Sequence, residues 1–264
     1  MAIGHDTLAA LIYVAMAGYS LAFAASALRL RTARRVLFAA GFIAAAAAVA
    51  MRWHESGHPP VQNLFGVFLC LGAAVYPLSL LCRRVLKAGS AAFDAVIGFV
   101  VLFPAGFVFA AQGPSQPPPA LQSPLLLPHV AAYVLAYVIM IMAAGQAFGL
   151  LLAGRDNEEA ATRRELAVHG LVRFGFPLMT LGLVLGGWWG KLAWGRWWNW
   201  DPKELWSLAT WLIFLGYLHF RRATWGRYRR FNAAIVLAGA GGIIITLLWA
   251  NLARLFGGLH SYAL

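Results

Sequence analysis

The sequence predicts an all-α integral membrane protein with about eight transmembrane helices, and two observations carry that prediction. Of its 264 residues, 61% are apolar and only 11% are charged, whereas a soluble domain carries about a quarter charged residues. The apolar residues also gather in long runs, and Lys and Arg lie in short segments between them. This pattern excludes a disordered chain, a secreted disulfide scaffold and an ordinary soluble enzyme.

The spans follow from the length of each apolar run. A transmembrane helix needs about 20 mostly apolar residues, and only a helix satisfies its own backbone hydrogen bonds in lipid. The first run follows Asp6 and lacks a basic leader, so we interpret it as a retained span. The eight predicted spans are residues 7–28, 36–52, 64–82, 91–111, 130–154, 170–187, 205–220 and 231–253.

The connecting segments alternate in charge along the chain. Fifteen of the 21 Lys and Arg residues lie in segments 29–35, 83–87, 155–166 and 221–230. The positive-inside rule places these basic loops in the cytoplasm and both termini outside it. The net charge of +12 is thus a feature of membrane topology, and we expect no nucleic-acid partner.

The segments on the other side of the membrane contain the distinctive residues. They are 52–63, 112–129, 188–204 and 254–264. Residues 112–128 hold six of the twelve prolines, which predicts an extended or kinked external lid. We expect residues 1–264 to form a single polytopic domain around these outer segments.

The outer segment 188–204 is rich in tryptophan. Six of the eleven tryptophans lie within residues 188–200, whereas an interfacial aromatic belt usually places one or two at a helix end. Such a density favours a flat, polarisable ligand, because indole rings offer a large stacking surface. The candidate contact residues are Trp188, Trp189, Trp194, Trp197, Trp198 and Trp200.

Charged residues accompany these tryptophans. Lys191, Arg196 and Lys203 supply cations that could bind carboxylates of a ligand. Asp201 precedes a proline, and Glu204 follows three residues later, which predicts a helix start with a capping box. Helix capping and direct ligand contact are both open for Asp201.

Two histidines flank the tryptophan-rich segment on the same predicted face of the membrane. His129 opens the fifth span, and His260 follows the eighth. A lone histidine at a membrane boundary is usually just an interfacial polar residue. Two imidazoles beside an indole-rich surface, without the Cys or carboxylate cluster typical of zinc, indicate an axial pair for haem iron. Cys70 and Cys82 do not form a CxxC motif, which argues against a thiol–disulfide relay.

Residues 194–204 resemble the "WWD" signature of haem-handling membrane proteins, and residues 258–263 resemble the CcsA (ResC) branch of System II cytochrome c biogenesis. The resemblance implies that haem b (iron protoporphyrin IX) is bound as a substrate. It implies His129 and His260 as outer axial ligands and His219 as a ligand to a second, inner haem. It also implies a bacterial inner membrane location, a CcsB-like membrane partner and apocytochrome c as the client.

Three alternatives remain open at the level of the sequence. The first is a CcmC-type exporter that passes haem to a chaperone, and the second is a haem b subunit that transfers electrons to quinone. The third is a transporter without a cofactor. Paired histidines within adjacent spans would favour the electron-transfer subunit, but here the two best candidates lie on one face.

Overall fold

The computed structural model describes residues 2–109, 118–152 and 157–249, and it places side chains from Asp6 to Leu248 within these ranges. They contain eight long α-helices and no strand, which confirms the predicted all-α fold. A 3₁₀ turn (Pro119–Gln122) precedes the fifth helix, and a π turn (Ile245–Trp249) follows the eighth. The helices are α1 (Ala2–Ala27), α2 (Arg31–Ser56), α3 (Leu64–Val85), α4 (Ala91–Phe107), α5 (Leu126–Leu152), α6 (Glu158–Trp194), α7 (Pro202–Ala223) and α8 (Arg229–Ile244).

Seven of these helices are long and apolar enough to cross a membrane, which confirms a multi-pass membrane protein. They are α1 to α6, together with α8 and its continuation to Leu248. Helix α7 is not among them; it carries Lys203 and Glu204 at one end and Arg221 and Arg222 at the other. That α7 crosses the bilayer therefore stays a prediction.

Helix α6 differs most from its predicted span of 170–187, since it has 37 residues. Residues 158–166 are helical, so the prediction of an inner loop over 155–166 is wrong from residue 158 onward. The Asn157 side chain caps the helix by accepting a hydrogen bond from Ala160 N–H at 3.0 Å. At about 55 Å, α6 is longer than a hydrocarbon core of about 30 Å, so the hydropathy pattern revealed only its middle.

The described residues fall into two compact units. The first comprises Met1–Leu81 and Ser90–Leu121, where α1 packs against α2 and α4. Helices α1 and α2 approach closely because both carry glycine: a Cβ on Gly18 would lie 2.8 Å from Gly41 Cα. Of the predicted external lid 112–128, residues 118–121 belong to this unit and 122–128 to the second, whereas 112–117 lie outside the described ranges.

The second unit comprises Cys82–Gly89 and Gln122–Leu264. Helix α5 packs along α6, and α8 packs against α5 and α7. Trp211 of α7 donates its indole N–H to Thr180 Oγ1 of α6 at 2.9 Å, which ties these two helices together. This unit holds every predicted site residue that the structure describes.

Candidate functional site

The structure places one of the two predicted outer iron ligands. His129 lies in the first turn of α5, half-buried against α6. His260 lies outside the described residues, so its pairing with His129 stays a prediction. His219 lies near the end of α7 and is exposed.

The hydrogen bond of His129 fixes which of its ring nitrogens is basic. Nδ1 lies 2.8 Å from the backbone carbonyl oxygen of Gly182 in α6. A carbonyl oxygen only accepts hydrogen bonds, so Nδ1 carries the proton and donates it. In the neutral ring, Nε2 is then the nitrogen with the lone pair, as in histidines that bind a metal.

Neighbouring rings and a glycine hold His129 in this orientation. The Trp189 ring lies nearly parallel to the imidazole at 5.8 Å between centroids, and the Tyr133 ring meets it edge-on at 5.2 Å. A Cβ on Gly186 would lie 2.6 Å from Cε1 of His129, so only glycine leaves room for the imidazole here. Tyr133 shares a side-chain hydrogen bond with Ser207 of α7, which links three helices around His129.

The tryptophan-rich segment has two structural parts. Residues 188–194 form the last turns of α6, and residues 195–201 form the loop to α7. Trp189 is only 2% exposed, and its ring contacts that of Trp194 at 4.7 Å between centroids. The other rings are more open: Trp188, Trp197 and Trp200 are between 49% and 67% exposed. The segment therefore has an inner pair beside His129 and an outer set of accessible indoles.

One carboxylate closes the loop between α6 and α7. Glu204 Oε2 accepts hydrogen bonds from the backbone N–H groups of Asn199 at 2.7 Å and Asp201 at 3.4 Å. Asp201 Oδ1 in turn accepts from Glu204 N–H at 2.9 Å. The predicted capping box is confirmed. Asp201 is buried within it and caps α7.

Trp200 lies between Asn199 and Asp201, the two residues that donate to Glu204, and its backbone is strained. Its φ is 60°, in the left-handed region, which costs a residue with a side chain about 1–2 kcal/mol. The two hydrogen bonds of Glu204 fall on the residues to either side and hold the turn. The result is an indole that is 67% exposed at the tip of the loop. Strain of this kind clusters at ligand sites.

Two buried donors in the loop have no hydrogen-bond partner among the described residues. They are the indole N–H of Trp198 and the side-chain amide nitrogen of Asn199. Leaving such a group unpaired costs about 1–3 kcal/mol, so both suit a ligand that brings an acceptor, such as a carboxylate. Adjacent donors and open indole faces fit the chemistry of haem, which has a flat ring and two carboxylates.

The predicted cations have different surroundings. Lys191 donates from Nζ to the carbonyl oxygen of Gly195 at 2.8 Å and so caps the end of α6. Arg196 is exposed at the start of the loop. Burial lowers the pKa of Lys203 to about 8, and the neighbouring Asp201 carboxylate opposes part of that shift.

His219 has its own orientation. Its Nδ1 donates to the carbonyl oxygen of Leu215 at 2.9 Å, one turn earlier in α7. Nε2 is therefore the basic nitrogen of the neutral ring, on an exposed side chain. A role as a ligand shared with another subunit stays a prediction.

Sequence reasoning missed the residues that orient His129. Gly182, Gly186 and Gly190 recur every four residues and so lie on one face of α6. Gly182 supplies the carbonyl, and Gly186 supplies the space for the ring. This spacing indicates close helix contact, but it does not predict that His129 occupies the space beside Gly186.

Comparisons with known proteins give the family. The model of the cytochrome c assembly protein family matches residues 61–260. The cytochrome c biogenesis protein CcsA of Guillardia theta is 30% identical over 80% of this chain and 79% of its own. The CcsA protein of Synechococcus sp. (strain CC9605) is 28% identical over 86% of each chain.

A solved structure shares the fold. The cytochrome c haem lyase CcmF superposes with a TM-score of 0.68 at 20% identity, over 93% of this chain and 45% of that one. The family match and the Guillardia relative both cover most of this sequence. The chain therefore belongs to the cytochrome c assembly protein family, in its CcsA branch.

Proposed function

We propose that this chain holds haem at the extracytoplasmic face of the membrane and presents it for attachment to the CxxCH motif of apocytochrome c. Membership of the CcsA branch gives it a role in cytochrome c maturation, as the haem-handling part of a cytochrome c synthase complex. The observation that carries the finer proposal is the oriented imidazole of His129 beside the tryptophan-rich segment.

His129 acts as an axial ligand in this proposal. The Gly182 carbonyl holds the Nδ1 proton, which makes Nε2 more basic and keeps the ring from rotating. Trp189 and Tyr133 limit the ring from two sides. His260 supplies the second imidazole in this proposal. The pairing is possible because both histidines lie on the same predicted face of the membrane.

The loop 195–201 binds the remainder of the macrocycle. Trp197 and Trp200 offer exposed indole faces for stacking. The unpaired donors of Trp198 and Asn199 hold the carboxylates, and Arg196 adds a cation that can bind bidentately. A macrocycle held by its carboxylates at this loop would leave its vinyl edge open to the client.

The chain contributes positioning rather than a nucleophile. Bound haem supplies two vinyl groups, and the two cysteine thiols of CxxCH add across them, so that each vinyl gains a sulfur on one carbon and a hydrogen on the other. This addition needs no outside oxidant. Holding both reactants in one geometry is the main rate effect available to the chain. The client's own histidine then replaces one imidazole of the chain.

His219 belongs to a second, inner site in this proposal. It is exposed on α7 with a defined basic nitrogen, and a CcsB-like membrane partner provides the opposite ligand. We infer a bacterial inner membrane as the location, and the distribution of arginines predicts that both termini are extracytoplasmic.

An absorption spectrum tests the outer site. The purified chain with its partner should show a Soret band and sharp α and β bands on reduction, as expected of two imidazole ligands. The double variant His129→Ala/His260→Ala should lose this haem and stop cytochrome c maturation, and added imidazole should restore part of the spectrum. His54→Ala, which removes an exposed histidine of α2, is the matched control. Normal maturation in the double variant would refute the proposal.

A further inference from the structure

A groove of about 810 Å³ lies between α6 and α7, at the end of these helices away from His129. Along α6, His169 lies thirteen residues before Gly182, which corresponds to about 20 Å. The groove is therefore distinct from the outer haem site at His129, and its lining does not include His219. Its lining includes His169, Arg173 and Phe176 of α6, Leu218 and Arg222 of α7, and Trp225 of the turn that follows.

The groove has a positive mouth. Arg221 also lines it, but its guanidinium lies 2.7 Å from the Glu165 carboxylate, so these two charges neutralise each other. Arg173 and Arg222 have no carboxylate partner among the described residues and are exposed. Two guanidinium groups are thus available to an anionic ligand.

The wall of the groove combines polar and apolar groups. Nδ1 of His169 is buried and has no hydrogen-bond partner within the described ranges. Phe176, Pro177 and Leu218 supply apolar surface next to it. A ligand that fits both parts is amphiphilic, with an anionic head at the arginines and an apolar body along the helices.

Trp225 marks the depth at which the head would lie. It is 85% exposed, its φ is 52°, and its ring lies 5.6 Å from the guanidinium carbon of Arg222. The turn is held by the backbone N–H of Gly226, which donates to the carbonyl oxygen of Arg221 at 3.1 Å. An indole presented outside the helices beside arginines is typical of the headgroup level of a bilayer.

We propose that this groove is a binding site for one anionic phospholipid, with its phosphate held by Arg173 and Arg222. Guanidinium groups bind phosphate oxygens in bidentate geometry. Basic pockets between helices on the cytoplasmic side recognise anionic headgroups, and the arginine-rich 221–230 segment is on that predicted side. A zwitterionic lipid is disfavoured, because its own cation would face the same arginines.

Native mass spectrometry of the haem-free purified chain tests this proposal with phosphatidylglycerol and phosphatidylcholine of matched acyl chains. We expect the chain to bind one phosphatidylglycerol about thirtyfold more tightly than phosphatidylcholine, because two arginines near the headgroup contribute about 1 kcal/mol each. The variant Arg173→Gln/Arg222→Gln should lose this preference. Arg173→Lys/Arg222→Lys should keep part of it, which distinguishes lost binding from lost folding.

The matched control is Arg31→Gln/Arg227→Gln, which removes two charges from the same predicted face but not from the groove. It should keep the full preference for phosphatidylglycerol. An equal loss in this control would overturn the proposal, because general surface charge would then explain binding. Equal binding of phosphatidylcholine, or complete displacement of the lipid by millimolar inorganic phosphate, would also overturn it. So would an Arg173→Gln/Arg222→Gln variant that keeps the parent's preference for phosphatidylglycerol.

Discussion

At the scale of single residues, the candidate site depends on atoms that belong to no haem ligand. The backbone carbonyl of Gly182 sets the tautomer of His129, and Gly186 leaves the space that the ring occupies. Both glycines act by orienting the imidazole. A neutral imidazole binds a metal well only when its unprotonated nitrogen points at the metal. A substitution at such a position should change the site and leave the fold intact.

Gly186→Ala tests this argument. Its Cβ would come 2.6 Å from Cε1 of His129, so the ring must shift and the bond to Gly182 must lengthen or break. We expect haem binding at least about tenfold weaker, as for other changes around a ligating histidine, with near-normal thermal stability. Haem titration followed by the Soret band measures the effect.

Gly170→Ala is the control in the same helix, because a Cβ there meets nothing within 4 Å. It should bind haem normally and be slightly stabilised, since alanine favours helix over glycine. If Gly186→Ala also bound haem normally, His129 would not be held as an axial ligand in the way proposed.

The sequence shows the residue types of the candidate site but not the contacts that orient them. His129 and the tryptophan-rich segment are visible as residue types and as neighbours of predicted span ends. The carbonyl of Gly182 carries no signal, because every residue has one and only helix packing selects it. The left-handed conformation of Trp200 is equally hidden, since tryptophan shows no preference for positive φ.

At the scale of elements, α6 shows why hydropathy and helix length differ. Its polar first turns, from Glu158, follow the Asn157 cap, and its last turns carry the tryptophans up to Trp194. Hydropathy reports which residues tolerate lipid, whereas capping residues decide where a helix begins and ends. Asn157 and Gly195 were present as capping signals, but the apolar run of 170–187 stood out more strongly.

The loop from α6 to α7 depends on Glu204. Glu204→Ala removes the acceptor for the backbone N–H groups of Asn199 and Asp201 and half of the capping box. We expect a loss of about 1 kcal/mol at this helix start. The amides of residues 196–204 should therefore exchange with solvent several-fold faster.

Hydrogen exchange read by mass spectrometry measures this change. Glu204→Gln keeps one acceptor oxygen and should lie between the parent and the alanine variant. Glu159→Ala, an exposed carboxylate in the first turn of α6, should leave exchange in residues 196–204 unchanged. Exchange in the alanine variant as slow as in the parent would mean that the loop is held by contacts other than Glu204.

At the scale of the whole molecule, the proposal depends on which side of the membrane each segment lies. His129 opens α5 and His260 follows α8, so the four helices α5 to α8 lie between the two histidines in the chain. If α6, α7 and α8 all cross the bilayer, both histidines lie on the outer face. The crossing by α7 is the part of this topology that needs a test, because α7 is not among the helices apolar enough to cross by composition alone.

If α7 did not cross, α8 would run inward and His260 would lie in the cytoplasm, where it could not pair with His129.

Labelling with a membrane-impermeant maleimide in spheroplasts decides between these topologies, after Cys70 and Cys82 have been replaced by alanine. Under the positive-inside rule, Ser261→Cys should react from outside, and Tyr228→Cys should react only after permeabilisation. Residue 228 lies among five arginines, at positions 221, 222, 227, 229 and 230. The rule therefore predicts that this residue stays in the cytoplasm. Reaction of Tyr228→Cys in intact spheroplasts would show that α7 stays on one side, and the two-imidazole site would then be impossible.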